Sequence, residues 1–481
     1  MAPQKKLTEY ERRRLENIKR NEEVLSSLKI HSKLAELSAL TKRQRPQTKS
    51  YKLSPEKKLK SDAPTVIRRS LRTRGMPPEA ATAGGLKDDF DESPNTQKSN
   101  PKPEPPTCKG PISIREAFYG EDYDQRFTET ILGVSKKIQL SYGDGPTEGI
   151  DSGYPSRALG SVNLGSLRLD PENIARVVQG KIHVVRFFPS SDLNMIAVGN
   201  TSGDVGFWNV DAKNQDGDGI YLFHPYSGAV SGIVVQPFSL SKIYTSSYDG
   251  IIQLMDLEKE EFDQIYSCDG PIFSISQRAS DPKSLYFSDG HGVLSIWDER
   301  TGKSSTSWIL HENRINSIDF SSENNNLMAT SSTDKTARIW DLRNIGADNP
   351  KPLKTINLTR AAQSAYFSPS GSCLATTSYD NMVGLLRGAN FEEVSMIHHN
   401  NQTGRWLSPF RAIWGWDDSY IYIGNMNRGV DVISTAKRRI FTTLQSPDMS
   451  AIPCRFDAHP YKIGMLAGGT SGGQVYVWTH C

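Results

Sequence analysis

The residues most able to do chemistry in this chain are arginines, and one run sets them beside an aromatic ring: His398-His399-Asn400-Asn401-Gln402-Thr403-Gly404-Arg405-Trp406-Leu407-Ser408-Pro409-Phe410-Arg411. Amides and guanidinium groups donate to phosphate oxygens, and an indole plane stacks on an unpaired base. Arg405, Trp406 and Arg411 are therefore candidates for holding a nucleic acid. Trp406 has a second reading, as a ring folded into the body of the protein with the run reduced to a surface loop. More cations lie near the N-terminus: Arg12, Arg13 and Arg14, then Arg68, Arg69, Arg72 and Arg74. Such clusters suit sequence-independent phosphate contact or nuclear import.

Catalytic constellations are absent from the sequence. It contains no Gly-Lys-Ser/Thr phosphate loop, no HExxH and no GxSxG, and His398-His399 lacks the spacing of a helical metal pair. Asn214-Gln215-Asp216-Gly217-Asp218-Gly219 has the look of a calcium loop but no distal Glu, so it reads as a polar turn. The five cysteines form no CxxC pair, against both a disulfide framework and a zinc module. No enzyme activity, cofactor or metal is expected.

The elements that must position these side chains follow from one stretch, Leu310 to Arg343, LHENRINSIDFSSENNNLMATSSTDKTARIWDLR. Short period-two strands alternate with polar turns and end on Ala337-Arg338-Ile339-Trp340-Asp341. A Trp-Asp ending on a unit of roughly 40–45 residues marks the WD repeat, one blade of a β-propeller. His311 and Asp334 read as members of a buried hydrogen-bond network in that blade. Aligning on Trp340 gives Trp208, Met255, Trp297, Trp340, Leu386, Ile433 and Trp478, at steps of 47, 42, 43, 46, 47 and 45 residues, hence seven units. The turn aspartate recurs as Asp249, Asp334 and Asp380 but is Ser202, His291, Asn427 and Gly472 elsewhere, so four blades are expected to lack the network. The last Trp lies three residues from the end of the chain, leaving that blade without an outer strand, and Asn173 to Val178 are placed to supply it. In this register the His398–Arg411 run is an unusually long connection between blades on the face near the channel mouth. Arg360 and Arg428 fall on the same face. With Arg405 and Arg411 they would make a basic patch.

The fold class is thus all-β, a seven-bladed WD-repeat propeller preceded by a basic, largely disordered arm with one short helix. Residues 1–40 form a basic helical segment, with Thr8 and Glu11 as a capping box; 41–110 are a disordered basic linker; 111–171 flank the propeller; 172–481 are the propeller. The charge is asymmetric: residues 1–75 carry 21 Lys and Arg against 8 Asp and Glu, a net +13, and the rest of the chain sums to −10. No apolar run approaches the ~18 residues that span a bilayer, and the N-terminus has no apolar core, so a soluble intracellular protein without membrane contact is expected. Two Trp-Asp-x-Arg tetrads occur, Trp297-Asp298-Glu299-Arg300 and Trp340-Asp341-Leu342-Arg343, and the second resembles the box by which WD-repeat receptors dock on the adaptor of cullin-RING ubiquitin ligases, with Arg343 as the contact residue.

Three strings carry a more particular resemblance: Leu7-Thr8-Glu9-Tyr10-Glu11-Arg12-Arg13-Arg14-Leu15-Glu16-Asn17-Ile18; Ser247-Tyr248-Asp249-Gly250 with Met255-Asp256-Leu257; and His399-Asn400-Asn401-Gln402-Thr403-Gly404-Arg405-Trp406. They are similar to those of the fungal changed-mutation-rate family of nuclear WD-repeat proteins, which has an animal relative. The resemblance implies binding of single- and double-stranded DNA with a preference for ultraviolet-damaged DNA, association with chromatin and its proteins, nuclear localisation and a role in DNA metabolism. The competing expectation is an interaction scaffold or cullin-RING substrate receptor acting through Arg343.

Overall fold

A computed structural model of the chain describes residues 19–20, 110–120, 123–142, 157–212, 218–346 and 350–480. Residues 19–20 are helical. The rest of the expected N-terminal helix, the basic linker, and with them Arg12, Arg13, Arg14, Arg68, Arg69, Arg72 and Arg74, lie outside the described residues, as does most of Asn214–Gly219.

Strands of two to eight residues, separated by turns, assemble into seven antiparallel sheets, the seven-bladed propeller expected from the repeat. Blade 1 runs Ile182–Phe187, Met195–Asn200, Val205–Asn209 and Ile220–Phe223. Blade 4 runs Ile315–Phe320, Leu327–Ser332, Thr336–Asp341 and Lys354–Asn357. Blade 6 runs Ile413–Trp414, Tyr420–Gly424, Val430–Ser434 and Arg439–Leu444. Blades 2, 3 and 5 repeat the order from inner strands Val230–Val235, Ser274–Arg278 and Ala362–Phe367. Blade 7 takes only Pro453–Ala458, Leu466–Thr470 and Gln474–His480 from the C-terminus. Its outer position is filled by Ile174–Arg176, which pairs with Gln474–His480. Inner strands touch in chain order and blade 7 closes on blade 1, so no blade is left without a neighbour in the ring.

The Trp-Asp positions plug the space between blades. Trp340 and Trp478 are buried there, and so are Met255, Leu386 and Ile433 where the tryptophan has been replaced. The replacements are tolerated because the position chiefly fills volume: Trp340 Nε1 donates to Thr330 Oγ1 at 2.8 Å, whereas the buried Trp297 Nε1 has no partner.

Residues before the ring pack on its rim. Ile112–Ser113 adds a fifth strand to the outer edge of blade 2, along Glu261–Ser267. A helix, Arg126–Tyr142, then buries Phe127 and Ile131 against Phe207 and Phe223 of blade 1, with the Phe127 and Phe207 rings 4.9 Å apart. Burying side chains of this size stabilises by roughly 1.5–3 kcal/mol each.

Antiparallel order sorts the turns onto two faces. Connections between blades lie at the same end as the turns joining second and third strands, here called the connection face. The remaining turns make the opposite face. In blades 1, 2, 4, 5 and 7 the inner strand slips register near its start, skipping His183, Ser231, Asn316, Gln363 and Cys454. Such bulges leave a residue outside the ladder and re-aim its groups.

Candidate nucleic-acid interface

In blades 2, 4 and 5 the connection face is held together by carboxylates that tie the second-to-third turn to the preceding inter-blade connection. In blade 4, His311 Nδ1 meets Asp334 Oδ2 at 2.8 Å, His311 Nε2 meets Thr330 Oγ1 at 2.7 Å, and Thr336 donates to Asp334 through both its backbone N–H and its hydroxyl. These partners hold the Asp334 carboxyl well below its ordinary range against the opposing effect of burial, and burial lowers His311. Asp249 accepts from Gly228 N at 2.6 Å, and Asp380 from Thr359 N at 3.0 Å, the latter fixing the residue before Arg360.

The expectation that every blade without the turn aspartate lacks a network is corrected in blade 6. There the carboxylate has moved four residues along, to Asp431. It stands 3.2 Å from His399 Nε2 and accepts from Asn425 Nδ2 and Thr443 Oγ1, both at 2.7 Å. Blade 1 does likewise with Asp204, which meets His224 Nδ1 at 2.7 Å.

The long connection into blade 6 is built on this network. Asn401 Nδ2 donates to Ser378 O at 2.8 Å, Gln402 Nε2 to Tyr379 O at 2.6 Å, and Asn401 Oδ1 faces His399 Nδ1 at 2.7 Å. Two of the three amides read from the sequence as phosphate donors, those of Asn401 and Gln402, are therefore spent on pinning the loop to blade 5. Beyond them the loop crosses towards blade 1, where Lys181 Nζ donates to Arg405 O at 3.0 Å and Ser408 Oγ to Ile182 O at 2.7 Å. Arg405 is exposed, and Trp406, at 88% exposure, is the most exposed large hydrophobic side chain among the described residues. The reading that folds Trp406 into the ring is overturned.

Arg360 and Arg428 are also exposed on the connection face, in blades 5 and 6. Arg428 occupies a turn organised by the Asn425 side-chain Oδ1, which accepts from Asn427 N and Gly429 N. Its φ of 59° is left-handed backbone, the conformation that glycine takes at the matching Gly203, Gly250, Gly292 and Gly473. Arg411 points elsewhere, into the central channel. Arg343 lies on the opposite face, 64% exposed, its guanidinium forked onto Asp341 at 3.0 and 2.7 Å. Arg300 makes the same fork on Asp298 at 3.0 and 2.8 Å, so the geometry is that of a repeated turn lock.

The channel holds charges that the sequence reading missed. A cavity of about 160 Å³ is lined by Arg157, His183, Arg186, Arg411, Arg455 and Asp319 among others. Arg455 Nε donates to His183 O at 2.9 Å and Nη1 to Pro409 O; Arg411 Nη2 donates to Asn316 O at 2.8 Å. His183 and Asn316 are two of the bulged residues. Arg186 pairs with Asp457 at 3.3 Å, and Asp319 accepts from Phe367 N at 2.7 Å. Burial, reinforced by Arg455, Lys181 and Arg411, pushes His183 down to about 3, while burial raises Asp319 to about 6. The available signal was a charge inside an otherwise apolar inner strand, as in His183-Val184-Val185-Arg186-Phe187 and Pro453-Cys454-Arg455-Phe456.

Fold and repeat make this chain a WD-repeat β-propeller protein. The family model described as WD domain, G-beta repeat matches residues 302–341, the end of blade 3 and most of blade 4. Over nearly its whole length the chain is similar to DNA damage-binding protein CMR1 of Scheffersomyces stipitis, at 28% identity over 98% of this chain and 99% of that one. Its likeness to the protein of the same name in Neurospora crassa is 27% over 99% and 100%. It is also similar to WD repeat-containing protein 76 of Xenopus laevis, at 28% identity over 98% of this chain and 80% of that protein. The resemblance to the fungal changed-mutation-rate family is borne out along almost the entire sequence.

Proposed function

We propose that this chain is a non-enzymatic, nuclear DNA-binding protein that engages damaged or opened DNA through the connection face of its propeller, with the basic N-terminal arm as an electrostatic tether. The observation that carries this reading is the blade 5–6 loop, a rigidly pinned platform that presents the Trp406 ring to solvent beside Arg405. An exposed indole is a stacking surface for a base that has left its duplex, and lesions lower the cost of unstacking. The names carried by the fungal relatives support DNA damage as the context. The N-terminal charge supports sequence-independent affinity and nuclear import.

The test is a titration of the full chain against matched intact and ultraviolet-irradiated duplexes across a salt series. With about six phosphate contacts, log K should fall against log salt with a slope near −5. Charge reversal at Arg360, Arg405 and Arg428 together should weaken binding and erase the preference for irradiated DNA. Equal binding of both duplexes by the unaltered protein would remove the damage reading.

A second reading is favoured by one observation: Arg343 is exposed on the face away from Trp406, where a protein partner such as a cullin-RING adaptor or a chromatin protein would not compete with DNA. Arg343→Ala should abolish such a complex and leave DNA affinity unchanged.

A further inference from the structure

The two halves of the central channel differ in charge balance. Towards the opposite face, Arg186 is paired with Asp457, and Asp319 lines the same cavity. Towards the connection face, Arg411 and Arg455 share a wall in which neither bonds a carboxylate: their acceptors are the carbonyls of Asn316, His183 and Pro409 and the Tyr366 hydroxyl. Arg455 is only 8% exposed. Like charges held together away from water repel and lose hydration, and in the absence of an acidic partner an anion is what relieves them.

An unused donor points the same way. Arg411 Nε is buried without a partner, and the hydrogen bonds of Arg455 from Nε and Nη1 end on backbone carbonyls, not on an acid. Burial first and then Arg411 hold Arg455 down to about 10. Lys181 stands at the same mouth, bonded to the backbone of Arg405. The loop that lifts Trp406 into solvent also supplies the Pro409 carbonyl that holds Arg455, so the outer platform and the inner cations are one construction.

We propose that the cavity between Arg411 and Arg455 receives the terminal phosphate of a nucleic-acid strand whose neighbouring bases lie on the connection face. This rests on the nucleic-acid reading above. At about 160 Å³ the cavity is well below the roughly 300–1,000 Å³ of pockets for larger ligands, so it admits a phosphate group and excludes a nucleoside. A terminal phosphate projects beyond its sugar and carries about −1.5 to −2 charges, a match for two guanidinium groups. An internal phosphodiester would have to thread a closed ring.

The experiment uses the full chain and internally labelled oligonucleotides identical except for a phosphate or hydroxyl at the 5′ or the 3′ end, with inorganic phosphate against chloride at matched ionic strength as a second arm read by thermal melting. One phosphorylated end should bind roughly ten- to a hundredfold tighter than its hydroxyl counterpart. Inorganic phosphate should raise the melting temperature and compete that preference away, and Arg411→Gln should lose both effects while still binding the hydroxyl-ended strand. A phosphate-dependent melting shift without end preference overturns the strand-end assignment and leaves a site for free phosphate. Absence of any phosphate-specific shift or end preference, in a protein that still binds DNA, overturns the channel site and leaves the DNA reading standing. Failure to bind any oligonucleotide overturns the DNA reading and the strand-end assignment with it, whatever the melting arm shows.

Discussion

Replacing Trp406 by Ala separates a functional ring from a structural one. With 88% of its surface exposed, the side chain has almost no packing to lose, so stability should change by no more than about 0.5 kcal/mol. Its hydrogen-bonded neighbours Asn401 and Gln402 keep the loop in place, and the backbone platform survives the change. If a base stacks on the indole, the substitution removes about 1–3 kcal/mol of binding free energy, or roughly 5- to 150-fold in affinity. The assay is fluorescence anisotropy with a short oligothymidylate and with an intact duplex, in one buffer and at one salt concentration, beside urea unfolding of both proteins. Trp406→Phe should retain most of the affinity because the aromatic plane remains. A loss below about twofold on single-stranded DNA would refute the stacking argument. A marked loss of stability would mean instead that Trp406 packs against the ring.

Three further outcomes follow from the geometry. Asp334→Ala strands His311 Nδ1 and the Thr336 N–H in a buried turn, and should cost about 3–5 kcal/mol in urea unfolding with DNA affinity intact; a cost below about 1 kcal/mol would show that the network is dispensable. Arg428→Gly releases a left-handed backbone strain of about 1–2 kcal/mol, so the variant should be more stable and yet bind DNA more weakly; a destabilised variant would contradict the strain argument. His459 is fully buried, accepts from Tyr461 N and Lys462 N at 3.1 Å, and is pushed by burial down to about 4. Its folded value lies below the unfolded one of about 6.5, so its contribution is complete above pH 6.5 and is lost as pH falls towards 4. Between pH 7 and 5 the unaltered protein should therefore lose about 2 kcal/mol more stability than His459→Gln, and parallel pH profiles would show that His459 does not titrate in this way.

What the sequence determined by itself is whatever repeats along it. The alternation of short apolar runs with turns, the steps of 42 to 47 residues and the Trp-Asp endings specify seven blades even where Met255, Leu386 and Ile433 stand in for tryptophan, because each blade is a local unit whose pattern is written within one repeat. The strand lent by Ile174–Arg176 was legible too, because Asn173 to Val178 come just before blade 1, the neighbour of blade 7 in a closed ring. Tertiary structure alone decided the rest. His399 and Asp431 replace the missing turn network of blade 6 from positions no fixed offset would pair, and the same network consumes two of the loop amides that looked free to bind phosphate. Whether Trp406 folded inward or outward depended on that pinning. The channel arginines come from inner strands and connections as far apart as Arg186 and Arg455, each beginning or interrupting a strand like any other. Closing the ring places them side by side, because in a propeller the residues that face one another across the channel are separated by whole blades of sequence.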